Sequence, residues 1–207
     1  MVNQFPDIRV YFSLGYSTVI VCFTEFSVSK RVGRAQPNSC GEEELVVRGY
    51  TDASFQYDKN DSRLQSGYVF CLNGDAVSWK SSKQETVANS TTEVEYIATS
   101  NVAKEAIWIK KFLIELAVIP SIADPVDLYC DDHGAIAQAK EPWSHQRSKH
   151  ILRRFHLIRE IIDKGDVKIC RIPTDANLAG LLTKPLVQHK HEAHTRSLGI
   201  REMPDWL

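Results

Sequence analysis

A mixed α/β sheet with helices packed on it is the fold class this sequence predicts, and three observations predict it. Two apolar runs, residues 67–72 and 76–79, flank Asn73-Gly74. That dipeptide takes positive φ readily and is the strongest short signal for an antiparallel hairpin. Two later apolar runs, 126–130 and 167–172, are separated by helical patterns, the arrangement of a parallel crossover. Between the two sets, Ser90-Thr91-Thr92-Glu93 forms a capping box ahead of a long amphipathic stretch reaching about Leu116.

Composition sets the limits. Of 207 residues, 43% are apolar, enough for a core and unlike a disordered chain. A formal net charge of −1 excludes binding to nucleic acid by bulk charge, so any basic surface must be local. Five cysteines, Cys22, Cys40, Cys71, Cys130 and Cys170, show no metal-knuckle spacing and read as buried, reduced thiols of an intracellular protein.

Residues 1–40 look unlike the rest. The apolar run 11–23 is interrupted by Ser13, Gly15, Ser17 and Thr18, with only Asp7 and Arg9 upstream. It is too short to span a membrane and is not a secretory signal; it reads as an extra edge strand or a poorly ordered leader. Residues 30–41 mix basic residues with Pro37, Asn38 and glycines, a linker composition. The main domain is expected over 41–186, followed by a polar, mobile tail over 187–207. His189, His191 and His194 in that tail have no accompanying cysteine and are not read as a zinc site.

Within the main domain, residues 45–52 read as a strand ending in Asp52, and 58–66 as a polar loop before the hairpin. Asp132 can cap a short helix over 133–140 that stops before Pro142. Ile151, Phe155, Ile158 and Ile162 give residues 148–164 a helical spacing. Asp175 can cap a last short helix ending before Pro185.

Helix geometry separates two neighbouring glutamates. Glu95 shares a stripe with Ala98, Val102, Ile109 and Leu113, so it faces the core. Glu93 aligns with Ser100 and Lys104 and already has a capping role. An inward glutamate is costly unless a Lys, an Arg or a metal answers it. Asp132 can cap the helix after its strand, which frees Asp131. Asp52, Glu95 and Asp131 thus come from separate elements, and carboxylates so collected can hold Mg²⁺ beside a phosphodiester. His145, Arg147, Lys149, His150, Arg153 and Arg154 crowd the expected start of a helix. Cations there oppose the helix dipole, so a bound phosphate is the expected reward.

The ordered motifs resemble a known family. They are Tyr50-Thr51-Asp52-Ala53-Ser54, Ser78-Trp79-Lys80-Ser81-Ser82-Lys83-Gln84, and Ser90-Thr91-Thr92-Glu93-Val94-Glu95-Tyr96-Ile97-Ala98. Tyr129-Cys130-Asp131, His145-Gln146-Arg147-Ser148-Lys149-His150-Ile151 and Leu182-Thr183-Lys184-Pro185-Leu186 follow. Together, from about Gly41 onward, they resemble the ribonuclease H domain of Ty1/copia-type retrotransposon Pol polyproteins, in the plant-element branch. Residues 1–40 do not resemble the reverse-transcriptase segment that precedes this domain, as a truncated or misjoined copy would explain.

The resemblance implies a five-stranded mixed sheet with helices on both faces. It implies hydrolysis of the RNA strand of an RNA–DNA hybrid by two Mg²⁺ ions, with Mn²⁺ as a substitute, and Asp52, Glu95 and Asp131 as catalytic metal ligands. The family's fourth aspartate follows an alanine just before the Leu-Thr-Lys motif. Here that place is Gly180, so cleavage is expected to be impaired while hybrid binding persists through the basic cluster. Ser54, Ser78 and Ser82 are candidate contacts to the sugar edge, and Trp79 is expected to pack in the hairpin. Two other readings stand beside the nuclease: a relic that binds hybrid without cutting, and a host-recruited interaction domain.

Overall fold

The computed structural model describes residues 46–54, 64–84, 88, 90–115, 124–140 and 157–200. Strand β1 is Val47–Ser54, β2 is Gln65–Leu72 and β3 is Asp75–Lys83. Helix α1, Thr91–Glu115, precedes β4, Val126–Cys130, and α2, His133–Lys140. Helix α3, Leu157–Asp163, then leads into β5, Val167–Arg171. Two 3₁₀ turns, Thr174–Ala176 and Leu178–Leu182, and helix α4, Gln188–Ser197, follow. Among the described residues no helix is long and apolar enough to cross a membrane.

The sheet order is β3-β2-β1-β4-β5. β1–β2 and β2–β3 are antiparallel, while β1–β4 and β4–β5 are parallel. The hairpin turns on Asn73 (φ 51°) and Gly74 (φ 93°), the left-handed pair a two-residue turn requires. Asn73 Oδ1 also accepts from Val46 N at 2.9 Å. β1 does not stop at Asp52 as the sequence suggests. Ala53 and Ser54 stay in register with Ser66 and Gln65, so the antiparallel partner carries the strand two residues further. β3 likewise runs past Trp79, because Ser81, Ser82 and Lys83 pair with Gly67, Ser66 and Gln65.

The face under α1, α2 and α3 holds the main core, in which Phe70, Tyr96, Ile97, Leu128, Ile158 and Ile169 are almost fully buried. Ser90 Oγ accepts from Glu93 N at 3.2 Å to start α1, as the capping box predicts. Residues 94–100 are buried all round. Ser100, placed outward by its spacing, instead returns its hydroxyl to Tyr96 O at 2.8 Å. Asp132 caps α2 through Ala135 N at 2.6 Å.

The opposite face carries a smaller cluster of Val69, Cys71, Ala179 and Leu198, with Tyr50 and Trp79 packed on it. The last elements differ from expectation. The predicted helix after Asp175 is a pair of 3₁₀ turns, and its cap is Asn177, whose side chain accepts from Ala179 N at 3.2 Å. Asp175 is unavailable for capping because its carboxylate pairs with Lys190. The segment read as a polar, mobile tail contains α4; Leu198 is buried after it and its carbonyl accepts from Ala76 N at 3.0 Å. The 3₁₀ turn lies against β2 because Gly67 has no side chain; a Cβ there would sit 2.7 Å from Leu182 Cβ.

Cys71 and Cys130 are buried free thiols. Cys170 is only half-buried, its Sγ 3.4 Å from Asp127 Oδ1, so the expectation of a buried thiol fails there. Cys22, Cys40, the leader and linker of residues 1–40, and the first turns of the helix expected from Ser148 lie outside the described residues.

Candidate active site

Parallel pairing of β1 with β4 sets Tyr50 opposite Tyr129, and their rings stack with centroids 5.1 Å apart. Asp52 and Asp131 each lie two residues beyond that pair, toward the same end of the two strands. Glu95, in the second turn of α1, reaches this end from one side. Its Oε1 accepts from Ala53 N at 2.8 Å, while its Oε2 is buried with no partner.

Glu95, Cys130 and Asp131 each offer a ligand atom, and these atoms lie within 4.8 Å of one another. Burial pushes the Glu95 carboxyl up to about 9, with the Asp52 charge as the next cause and Asp131 and Asp132 adding to it; the Ala53 amide pulls the other way. Burial disfavours the charged carboxylate, and the neighbouring carboxylates add to that effect. Cys130 is a poor partner for a hard cation. Burial and the neighbouring Glu95 push its thiol up to about 12, and its Sγ sits 3.8 Å from Thr99 Oγ1 and 3.9 Å from Asp132 O.

Asp52 is held differently. It is 1% exposed, and donors from residues 177–184 engage both its oxygens. Thr183 Oγ1 donates to Oδ2. Lys184 Nζ lies 3.1 Å from Oδ1, with Asn177 Nδ2 at 3.5 Å from the same oxygen. Burial raises the Asp52 pKa, Thr183 and Lys184 oppose the rise, and Asp131 adds to it.

The structure therefore brings Asp52, Glu95 and Asp131 to one end of the sheet, but the tight trio contains Cys130 rather than Asp52. Gly180 is buried in the Leu178–Leu182 turn, beside Lys184. His145, Arg147, Lys149, His150, Arg153 and Arg154 lie outside the described residues. Ser78 is 1% exposed and Ser54 is 9% exposed, so neither presents a free sugar contact. Ser82 is half-buried, and Trp79 packs in the hairpin against the smaller cluster. His189, His191 and His194 sit on α4 and form no ligand cluster among the described residues. Sequence reasoning quoted Thr183 and Lys184 as part of a motif but gave them no task. Their nearness to Gly180 was the available signal.

A five-stranded mixed sheet in this order, helices on both faces and acidic side chains converging from β1, α1 and the end of β4 define a ribonuclease H-like domain. Over 160 residues, 77% of this chain, the sequence is 39% identical to the retrovirus-related Pol polyprotein of transposon TNT 1-94 from Nicotiana tabacum. The retrovirus-related Pol polyproteins of plant transposons are thus homologues of this chain over that segment, RE2 and RE1 of Arabidopsis thaliana each at 34% identity. The chain spans 12% of the length of the Nicotiana tabacum relative. A shorter match, 42% identical over 97 residues, is to secreted RxLR effector protein 161 of Plasmopara viticola; it covers 42% of this chain and 67% of that protein. Among solved structures, the N-terminal RNase H domain of rv2228c from Mycobacterium tuberculosis aligns at a TM-score of 0.45 and 14% identity. That alignment covers 74% of this chain and 99% of the other, and strand order rather than this likeness carries the fold assignment. No family model matches the chain.

Proposed function

We propose that the chain hydrolyses the RNA strand of RNA–DNA hybrids at a divalent-metal site made by Asp52, Glu95 and Asp131, and that Gly180 depresses this activity. The observation that carries the reading is the buried, partnerless Oε2 of Glu95 beside Asp131. An unsatisfied carboxylate oxygen in the field of two more carboxylates is a position a cation stabilises. The donors are hard oxygens and fit Mg²⁺ or Mn²⁺. Such ions supply an activated water and charge stabilisation of the leaving 3′-oxygen. The chain's own residues do the positioning: the Ala53 amide fixes Glu95, and Thr183 fixes Asp52. Gly180 offers no side-chain oxygen, so this set holds two ions more weakly than four carboxylates would.

A second reading is a module that grips hybrid without cutting. Gly180, and an Asp52 whose oxygens both have donors, favour it. The match to a secreted effector is the observation behind a third reading, an interaction domain with no nucleic-acid role.

A labelled RNA–DNA hybrid, incubated with the protein in Mg²⁺ and separately in Mn²⁺, separates the three. Slow cleavage by the native chain, raised on the order of tenfold by Gly180→Asp, supports the first. Binding without cleavage in both proteins selects the second, and neither binding nor cleavage selects the third.

A further inference from the structure

Lys184 is the one described cation lying on the candidate ligand Asp52: its Nζ is 3.1 Å from Oδ1, and its side chain is 30% exposed while that of Asp52 is 1% exposed. The route it takes depends on Gly180. Lys184 N is 3.3 Å from Gly180 O, which folds the lysine back over the turn. A Cβ built on Gly180 would lie 3.1 Å from Lys184 Cε and 3.9 Å from Nζ. Among the described side chains beyond its immediate neighbours, Lys184 is the one such a Cβ would meet. A side chain at position 180 therefore presses on this lysine pose, and the flexible end of Lys184 has to shift by a few tenths of an ångström.

The lysine also has somewhere to go. A cleft of about 230 Å³ opens beside Gly180, lined by Asp175, Asn177, Lys184, Lys190 and His194 among others. Asp175 on that wall pairs with Lys190 and already feels the Lys184 charge. A primary ammonium on a four-carbon stem can leave Asp52 and still face a carboxylate.

We propose that Lys184 is a tethered cation that competes with divalent ions for Asp52, and that Gly180 is what lets it lie there. The defect at position 180 is then double: one ligand is missing, and the vacant volume admits an internal competitor to a remaining ligand. This inference rests on Asp52 being a metal ligand.

Mn²⁺ binding, read from the electron paramagnetic resonance of free Mn²⁺ with no nucleic acid present, tests it on the 207-residue chain. Lys184→Met keeps the stem and removes the charge, and it is expected to tighten binding about tenfold. Gly180→Ala brings no ligand, only a Cβ that crowds the lysine's pose, and is expected to tighten binding about threefold. Unchanged or weaker binding in both variants, each shown by urea unfolding to be folded, overturns the proposal. Tightening in Lys184→Met alone overturns the part assigned to Gly180. Asp52→Asn separates the premise: if it leaves Mn²⁺ binding intact, Asp52 is no ligand and the reading of the site fails first.

Discussion

Glu95 Oε1 accepts the Ala53 amide at 2.8 Å, and through that bond α1 is fastened to β1 at the residue after Asp52. The same side chain leaves Oε2 buried and unpartnered. One residue thus closes the helix–sheet interface with one oxygen and leaves the other buried without a partner.

The first prediction follows from its protonation. In the folded domain burial pushes the Glu95 carboxyl up to about 9, against 4.5 for an ordinary glutamate. Between those values the unfolded chain binds fewer protons than the folded one, so stability falls as pH rises. Metal-free protein is expected to lose on the order of 2 kcal/mol across this window, with the full contribution present only at its acid end. Glu95→Gln keeps an oxygen for Ala53 and removes the titration, and should flatten the loss. Urea unfolding in EDTA at pH 5 and pH 8.5 measures both; equal pH slopes in the two proteins would contradict the burial argument.

Divalent cations should reverse that loss. An ion bound only by the folded state stabilises it by mass action. At pH 8, Mn²⁺ at a hundred times its Kd is expected to add about 2.7 kcal/mol to the native domain. Asp131→Asn removes one member of the trio that lies within 4.8 Å and should lose most of that gain. Thermal unfolding against Mn²⁺ concentration reads it directly, and an Asp131→Asn curve superposed on the native one would remove Asp131 from the site.

Asn177 is 1% exposed and joins the Leu178–Leu182 turn to β1. It donates to Thr51 O at 2.9 Å, caps the Leu178–Leu182 turn, and touches Asp52 Oδ1 at 3.5 Å. Asn177→Ala leaves a buried carbonyl and an amide without partners, at a cost of roughly 2–3 kcal/mol. Because that turn carries Thr183 and Lys184 to Asp52, the same variant should also alter Mn²⁺ affinity. A urea midpoint lowered with Mn²⁺ binding untouched would show that Asn177 serves stability alone.

The elements that the sequence displayed clearly are those in which local and long-range forces agree. Asn73-Gly74 needs positive φ, and the hairpin supplies it. Ser90 caps α1 and Asp132 caps α2 by bonds that span three residues. Glu95 faces inward because the stripe through Leu113 must be buried. What stayed hidden was set by contacts distant in sequence. Thr183 and Lys184 reach Asp52 across 131 and 132 residues, and no periodicity records that. Leu198 is a lone apolar residue after a polar helix, yet Val69, Cys71 and Ala179 lie together with it. Asp175 had the look of a cap, but Lys190 took its carboxylate and Asn177 took the role. Strand ends slipped for the same reason, since β2 decides how far β1 and β3 continue.

The last prediction concerns the basic run that opens the helix expected from Ser148. Its members His145, Arg147, Lys149, His150, Arg153 and Arg154 lie outside the described residues. Cations at a helix start oppose the dipole, and in a chain whose formal net charge is −1 they are a local concentration of positive charge. Each lysine or arginine that neutralises a phosphate releases a counterion, which lowers the logarithmic salt slope by close to one. Arg147→Ala combined with Lys149→Ala is therefore expected to weaken binding to an RNA–DNA hybrid at 50 mM salt and to reduce the slope by about two. Fluorescence anisotropy of a labelled hybrid, titrated at several salt concentrations in EDTA, gives affinity and slope together without cleavage. Weaker binding with an unchanged slope would mean the pair supports the fold of that segment and does not touch phosphate.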